Sequence, residues 1–238
     1  MAKIPVAEIF GPTLQGEGSL AGLRTHFLRL AYCDGAGANG WCSWCDSMFA
    51  VDPKNKSQWE YLTEQEIADR LQSLGSHVAH LTISGGNPAI HDLTNLIRLL
   101  RKEYMINVET QGTIWRDWLL RADTVTVSPK PPSSGSICDR SKLENVLSQL
   151  KSSTTTIKVV VNPDYPEDYE FACDILRVNG KFTEGLYMSV YTSPQDTTQD
   201  IIERWLRLAE RVRQDKHLCD VAVLPQLHVL LWGHKRGV

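Results

Sequence analysis

The chain has 238 residues, of which 42% are hydrophobic and 22% charged, with a formal net charge of −3. These proportions suit a globular protein with a sizeable core, and the slight acidity excludes nucleic-acid or membrane-surface binding through bulk charge. No apolar run is long enough to cross a bilayer, and the N-terminal MAKIPVAEIF lacks the apolar core of a signal peptide. A cytoplasmic location is therefore expected. There the six cysteines stay reduced, and a close group of them reads as a metal site rather than a disulfide framework.

In chain order, THFLRL (25–30) reads as a first strand. Residues 63–74 read as a helix, with Thr63 as cap and Glu66 completing a capping box. Strand 78–84 leads to helix 92–104, capped by Asp92, and strand 106–110 to a short helix near 114–121. Strand 123–128 precedes helix 141–150, and strand 155–161 precedes a helix over 166–178 that opens on Pro166. Strand 185–191, the long helix 197–214 and a last strand at 220–225 complete the series. This alternation predicts parallel strands joined by helical crossovers. Six or seven βα units fall short of a closed eight-unit barrel, which takes about 250 residues. The expected fold class is α/β: an incomplete TIM-like βα barrel of about six parallel strands. Residues 1–238 form a single domain, with a long loop at about 31–62 after the first strand.

Polar residues stand at or just past the C-terminal ends of these strands. They are Ser84-Gly85-Gly86-Asn87, Glu109-Thr110-Gln111, Ser128-Pro129-Lys130, Asn162, Ser193-Pro194-Gln195 and Gln226. In parallel α/β folds those ends form one rim, where ligands bind. The alternative for any one position is an ordinary turn residue.

The loop after the first strand carries Cys33, Cys42 and Cys45, separated by eight residues and then two. A structural zinc ion would need a fourth ligand. The nearest histidine, His26, lies within the first strand, and the remaining cysteines are scattered. Cys173 and Cys219 read as buried apolar thiols, and Cys138, in a loop, is given no role. Chance clustering of free thiols stays open. A 4Fe–4S cluster accounts for the trio better: three thiolates ligate three irons and the fourth iron stays open to a small molecule. The amino and carboxylate groups of S-adenosyl-L-methionine (SAM) suit such an iron.

A cysteine trio after the first strand and Gly85-Gly86 after the second resemble the radical SAM superfamily, whose fold this implies. The common spacing there is three residues, then two; Gly35, Gly37 and Gly40 let the longer gap fold back. SGGNP (84–88) also departs from the superfamily wording, which has Glu where this chain has Asn87. The flanks are more specific. EIFGPTLQGEGSLAG (8–22), RTHFLRLAYC (24–33) and CSWCDS (42–47) resemble the 7-carboxy-7-deazaguanine synthase family. The likeness continues through VETQGT (108–113), VSPKPP (127–132), IKVVVN (157–162), TSPQD (192–196) and LPQLHVLLWGHKRGV (224–238).

That resemblance implies a ring contraction of 6-carboxy-5,6,7,8-tetrahydropterin to 7-carboxy-7-deazaguanine with loss of ammonia, using a 4Fe–4S cluster, SAM and Mg²⁺. It implies cluster ligation by Cys33, Cys42 and Cys45, with Glu109 and His228 also acting in catalysis. Leu14, Gln15, Gly16, Glu17, Arg29, Ser84, Glu109 and His228 would bind substrate. Trp44, Cys45, Asp46, Gly85, Gly86, Ser128, Pro129, Lys130, Ser193 and Gln195 would contact SAM, and Ser47 would hold Mg²⁺. Gly16 and Gly18 would let backbone approach the ligand. Arg29, the lone charge in its strand, suits a substrate carboxylate. Trp232 and Leu230-Leu231 read as core or dimer contact. The expected partners are the small-molecule substrate, an external flavodoxin- or ferredoxin-like electron donor and a second copy in a homodimer, with no nucleic acid and no membrane. An activase that makes a glycyl radical on a partner polypeptide, and a zinc-stabilised binding module, are the alternatives.

Overall fold

The computed structural model describes residues 3–35, 41–75 and 77–238. One nine-stranded sheet organises them, in the order β3-β1-β2-β4-β5-β6-β7-β8-β9. The strands are β1 (Ile4–Leu14), β2 (Arg24–Leu30), β3 (Glu60–Leu62), β4 (His80–Gly85), β5 (Met105–Thr110), β6 (Thr124–Val127), β7 (Thr155–Val161), β8 (Gly185–Val190) and β9 (Val221–Leu224). From β2 to β9 every pairing is parallel. All seven predicted strands are there, within two residues of the expected ends. The helices are α1 (Met48–Val51), α2 (Glu64–Ser73), α3 (Thr94–Leu100), α4 (Arg140–Gln149), α5 (Pro166–Asn179), α6 (Thr198–Gln214) and α7 (Leu227–Trp232).

The seven strands alternate in an informative way. Leu28, Leu30, Leu81, Ile83, Ile106, Val108, Val125, Val127, Ile157, Val159 and Val161 are fully buried and belong to one apolar core. Helix residues such as Leu71, Ile97, Leu147, Ile175 and Leu208 join the same core. Burying each such side chain contributes about 1.5–3 kcal/mol. The opposite face is polar: Thr25, Thr82, Ser84, Asn107, Thr126, Thr156, Lys158 and Ser189 are all buried there. Side chains alternate faces along a strand, so this second face lines an interior that is not greasy.

Curvature of the sheet follows from reach. In a flat sheet β2 and β7 lie four strand spacings apart, about 19 Å. Yet the short turn after β1 touches β4, β5 and β7 at once, Gln15 bonding Thr82 and Glu109 while Glu17 bonds Lys158. Only a curled sheet allows that, which is the incomplete barrel the sequence predicts.

Several local expectations need correction. The predicted first strand is the second: β1 precedes it and pairs antiparallel with both β2 and β3. Its register with β2 slips near Val6 and again across Gly11-Pro12, which hides the period-two pattern. The loop at 31–62 contains α1 and ends in β3. Helix α3 starts at Thr94, with Asp92 accepting from the Thr94 amide at 3.0 Å ahead of it. The expected helix near 114–121 is a 3₁₀ turn, Asp117–Arg121. The capping box at Thr63 and Glu66 is formed as expected. Cys173 is buried, but Cys219 is exposed, because it lies in the turn before β9 rather than on a strand. Leu231 and Trp232 are also exposed, so they are not core. No helix among the described residues is long and apolar enough to cross a membrane.

Candidate active site

A cavity of about 500 Å³ opens at the C-terminal ends of the parallel strands. Of the residues expected to serve in catalysis or to hold the cluster, SAM, substrate or Mg²⁺, every one except Pro129 lines it, whereas Gly18, Asn87 and Asn162 do not. Pro129 points instead into a second cavity of about 290 Å³ behind Asp34 and Gln111. Just past the end of β6, Ser128 faces the first cavity, Lys130 borders both and Pro129 borders only the second.

The cysteine loop is tied down at both ends. After Cys33, the Asp34 carboxylate accepts from the Asn87 amide at 2.7 Å, the Gln111 amide at 2.6 Å and the Thr113 hydroxyl at 2.6 Å. Asn87 is fully buried and its carbonyl accepts from Thr110 at 2.8 Å. This gives a physical reason for Asn at a place where the superfamily pattern has Glu: a carboxylate at 87 would face Asp34. At the other end, Ser43 N donates to the Ser134 carbonyl at 2.8 Å and Trp44 Nε1 to Ser133 Oγ at 3.1 Å. Ser133 is itself fixed by the buried Asp168 of α5, which accepts from its amide at 2.9 Å and its hydroxyl at 2.6 Å. Gly37 and Gly40 lie outside the described residues.

Burial pushes the Cys33 thiol up to about 11 and the Cys45 thiol to about 12, and Cys42 adds to both. Cys42 thus lies close enough to influence both. As free thiolates, Cys33 and Cys45 would be poorly compensated, so an incoming cation is what would deprotonate them. Among the described residues no three His, Cys, Asp or Glu side chains converge tightly enough for a single metal ion. A cluster, which spreads its ligands over several irons, fits this donor set better than a lone zinc ion.

Glycine is required here chiefly by the protein's own packing. A Cβ on Gly86 would sit 2.0 Å from the Tyr32 carbonyl oxygen and 2.7 Å from Cys33 Cβ; one on Gly16 would sit 1.9 Å from His228 Nδ1. The turn at Gln15–Glu17 and the PQLH segment are therefore one unit, and Leu227 N donates to Gly16 O at 3.0 Å.

That unit meets a buried charge cluster. Gln15 Nε2 donates to Glu109 Oε1 at 3.2 Å, and Lys158 Nζ lies 2.7 Å from Glu17 Oε2 and 4.0 Å from Glu109 Oε1. Burial alone would raise the Glu17 carboxyl, but the Lys158 and His228 charges outweigh it and hold the group below its ordinary value. Burial likewise works against the Lys158 ammonium, and Glu109 and Glu17 more than offset it, so that its value is raised. Glu17 Oε1 is buried without a hydrogen-bond partner among the described residues.

Arg29 lines the cavity, and part of its guanidinium is already paired within the protein. Its Nε donates to Glu8 at 2.8 Å and its Nη1 to Ser47 Oγ at 2.9 Å, and Ser47 donates on to Asp46 at 2.9 Å. In the loop after β8, Ser193 bonds Gln195, while Arg204 braces Asp196 at 2.6 Å. The C-terminal tail folds back over these elements. His234 contacts the Ser193 carbonyl at 3.0 Å, Arg236 stacks on Phe49 at 3.4 Å, and Val238 lines the cavity.

Glu8, Asp34 and Lys158 carry much of this arrangement, and the sequence reading gave them no role. Lys158 had a usable signal: like Arg29, it is a lone charge in a run of strand residues.

No protein-family model matches the chain. Among curated relatives, the 7-carboxy-7-deazaguanine synthase of Bacillus cereus is 39% identical over 248 residues, and that of Bacillus subtilis 41% identical over 254 residues; both alignments span all of each chain. The crystal structure of QueE from Escherichia coli superposes with a TM-score of 0.66 over 95% of each chain, at 24% identity. The structure of Streptococcus suis SuiB bound to precursor peptide SuiA, with a TM-score of 0.54 and 12% identity over 85% of this chain and 52% of that one, shares the fold alone. With full-length relatives at this identity and the quoted motifs gathered around one cavity, the chain belongs to the 7-carboxy-7-deazaguanine synthase family.

Proposed function

We propose that the chain converts 6-carboxy-5,6,7,8-tetrahydropterin to 7-carboxy-7-deazaguanine with loss of ammonia, as a radical SAM ring-contracting lyase in 7-deazapurine biosynthesis. Cys33, Cys42 and Cys45 would hold a 4Fe–4S cluster, and the rim formed by Trp44, Asp46, Gly85, Gly86, Ser128, Lys130, Ser193 and Gln195 would take SAM. Bound together and reduced, these groups would supply one-electron cleavage of SAM and, through it, hydrogen-atom abstraction chemistry.

The chain's own residues do the holding and the excluding. Glu17 and Glu109 offer carboxylate acceptors to the planar edge of a pterin, and Gln15 holds both in place through its bonds to Glu109 and to the Glu17 amide. Ser84 and His228 border the same space. Arg29 Nη2, which has no hydrogen-bond partner among the described residues, would meet the substrate carboxylate, with Glu8 fixing the guanidinium plane. Ser47 and the adjacent Asp46 make an oxygen-rich corner, the donor type Mg²⁺ prefers, and Ser47 is its proposed protein ligand. The tail residues His234 and Val238 help to keep water from the reacting ring. A flavodoxin- or ferredoxin-like protein would deliver the electron, and a homodimer in the cytoplasm is the working state we propose.

The observation that carries this reading is the convergence of Gln15, Glu17 and Glu109 beside a three-cysteine loop, in a chain 39–41% identical to named synthases. The test is anaerobic reconstitution with iron and sulfide, then incubation with reductant, SAM and carboxytetrahydropterin. Mass detection of the deazaguanine acid without any protein substrate supports the proposal. A colourless, zinc-loaded protein, or no product from brown, iron-replete protein, refutes it.

A further inference from the structure

We propose that Lys158 sets the enzyme's preference among bicyclic nitrogen heterocycles, by keeping Glu17 ionised and aimed as an acceptor for an amino-bearing ring edge. The proposal rests on the pterin reading above and goes beyond it, since that reading gives Lys158 no part.

Lys158 sits mid-strand on the polar face of β7, and its side chain is 5% exposed. Such a cation is tolerated in an interior only when it is paired. Its partners are Glu17 at 2.7 Å and Glu109 at 4.0 Å, on two different elements. One ammonium between two carboxylates leaves the trio one negative charge in excess. The excess has a definite outlet: Glu17 uses Oε2 for Lys158, while its Oε1 is buried without a partner among the described residues, on a side chain that lines the cavity. An unmet buried carboxylate oxygen is costly and calls for a donor from the ligand. Gln15 cannot supply one, because its Nε2 points to Glu109 and Thr82 and its Oε1 accepts from the Gly16 and Glu17 amides.

The ligand must therefore bring N–H groups to this spot. A 2-amino-4-oxo pyrimidine ring does so, through its exocyclic amine and the adjacent ring N–H. A 2,4-dioxo ring of the same size brings a carbonyl oxygen instead, which would face Glu17 with its lone pairs. Lys158 acts here as a positioning residue. It does not touch the reacting atoms, but without its charge Glu17 would take a proton or turn away.

The experiment compares binding of pterin-6-carboxylate and lumazine-6-carboxylate to the cluster-loaded enzyme by calorimetry. These probes differ in carrying an amino or an oxo group at ring position 2, the oxo form also placing a hydrogen on ring N1. Wild type is expected to favour the pterin on the order of 10- to 100-fold, the range for a hydrogen bond to a charged group. Lys158→Met should collapse this preference, while the SAM-induced change in the cluster's electron paramagnetic resonance spectrum stays as in wild type. A Lys158→Met enzyme that keeps the wild-type preference overturns the proposal. Should that variant fail to fold, Lys158→Met combined with Glu17→Gln removes both charges of the pair together. It should shift preference toward the lumazine, whose oxygen can accept from the amide, and an unshifted ratio there also overturns the proposal. Wild type that binds neither probe and makes no product contradicts the pterin reading itself, an outcome distinct from either result with the variants.

Discussion

Asn87→Asp is the most informative single change outside the cysteines. Asn87 Nδ2 donates to Asp34 Oδ1 at 2.7 Å, in a site where Asn87 is fully buried. The substitution exchanges that donor for a second carboxylate at nearly the same separation. With an effective dielectric of about 20, two unit charges 2.7 Å apart repel by roughly 6 kcal/mol. Protonating one ordinary carboxyl costs about 4 kcal/mol at neutral pH, so that is the ceiling of the penalty. Asp34 follows Cys33 directly, and the strain falls on the arm that carries the first cysteine. The expected result is a folded protein that retains much less iron after anaerobic reconstitution, measured as iron per chain alongside thermal unfolding. The deficit should shrink in acid, since the same protonation costs about 2 kcal/mol at pH 5.5. Exchanging the pair, Asp34→Asn with Asn87→Asp, restores one donor facing one acceptor and should recover most of the iron. Full iron content in the single variant, or an exchanged variant as poor as the single one, refutes the reasoning.

Cys42→Ala should abolish turnover and leave the unfolding midpoint within a few degrees of wild type, because the loop lies outside the strands; loss of folding would point to a structural metal instead. Ser47→Ala should weaken the response of turnover to Mg²⁺, and an unchanged titration curve would retire its assignment. Glu17 gives a pH prediction. Its carboxyl is depressed in the folded state by Lys158 and His228 against the effect of burial, from 4.5 to about 2. Its stabilising contribution is therefore complete above the unfolded value and is lost as the pH falls through the folded one. Wild type should lose its stability advantage over Lys158→Met across that window in acid-denaturation curves, and a constant advantage would contradict it.

Much of the fold was legible because each parallel strand is a run of β-branched or aliphatic residues closed by polar turn residues, with a helix between. β1 was not, since Gly11-Pro12 breaks its pairing register and with it the alternation. β3, at three residues, is too short to announce itself. The rim was legible for a topological reason: in a parallel sheet, every strand's C-terminal end comes to the same side. Nothing local marks the partners that give that rim its chemistry. Glu17 and Lys158 stand 141 positions apart, and Asp34 and Thr113 stand 79 apart. Arg29 shows the same limit: its strand position was read correctly, but its pairing with Glu8 depends on a strand that the pattern did not disclose. Pro129, which borders the second cavity alone, was misplaced because adjacent residues were assigned as a block, whereas the irregular backbone after β6 sends neighbours in different directions.

The central claim is that the three cysteines hold a cluster with one iron left open to SAM. The direct measurement is the electron paramagnetic resonance spectrum of the reconstituted, reduced protein before and after SAM is added. A signal that changes shape on addition, and does so only when Cys33, Cys42 and Cys45 are all present, is the predicted result. A spectrum indifferent to SAM would contradict the account.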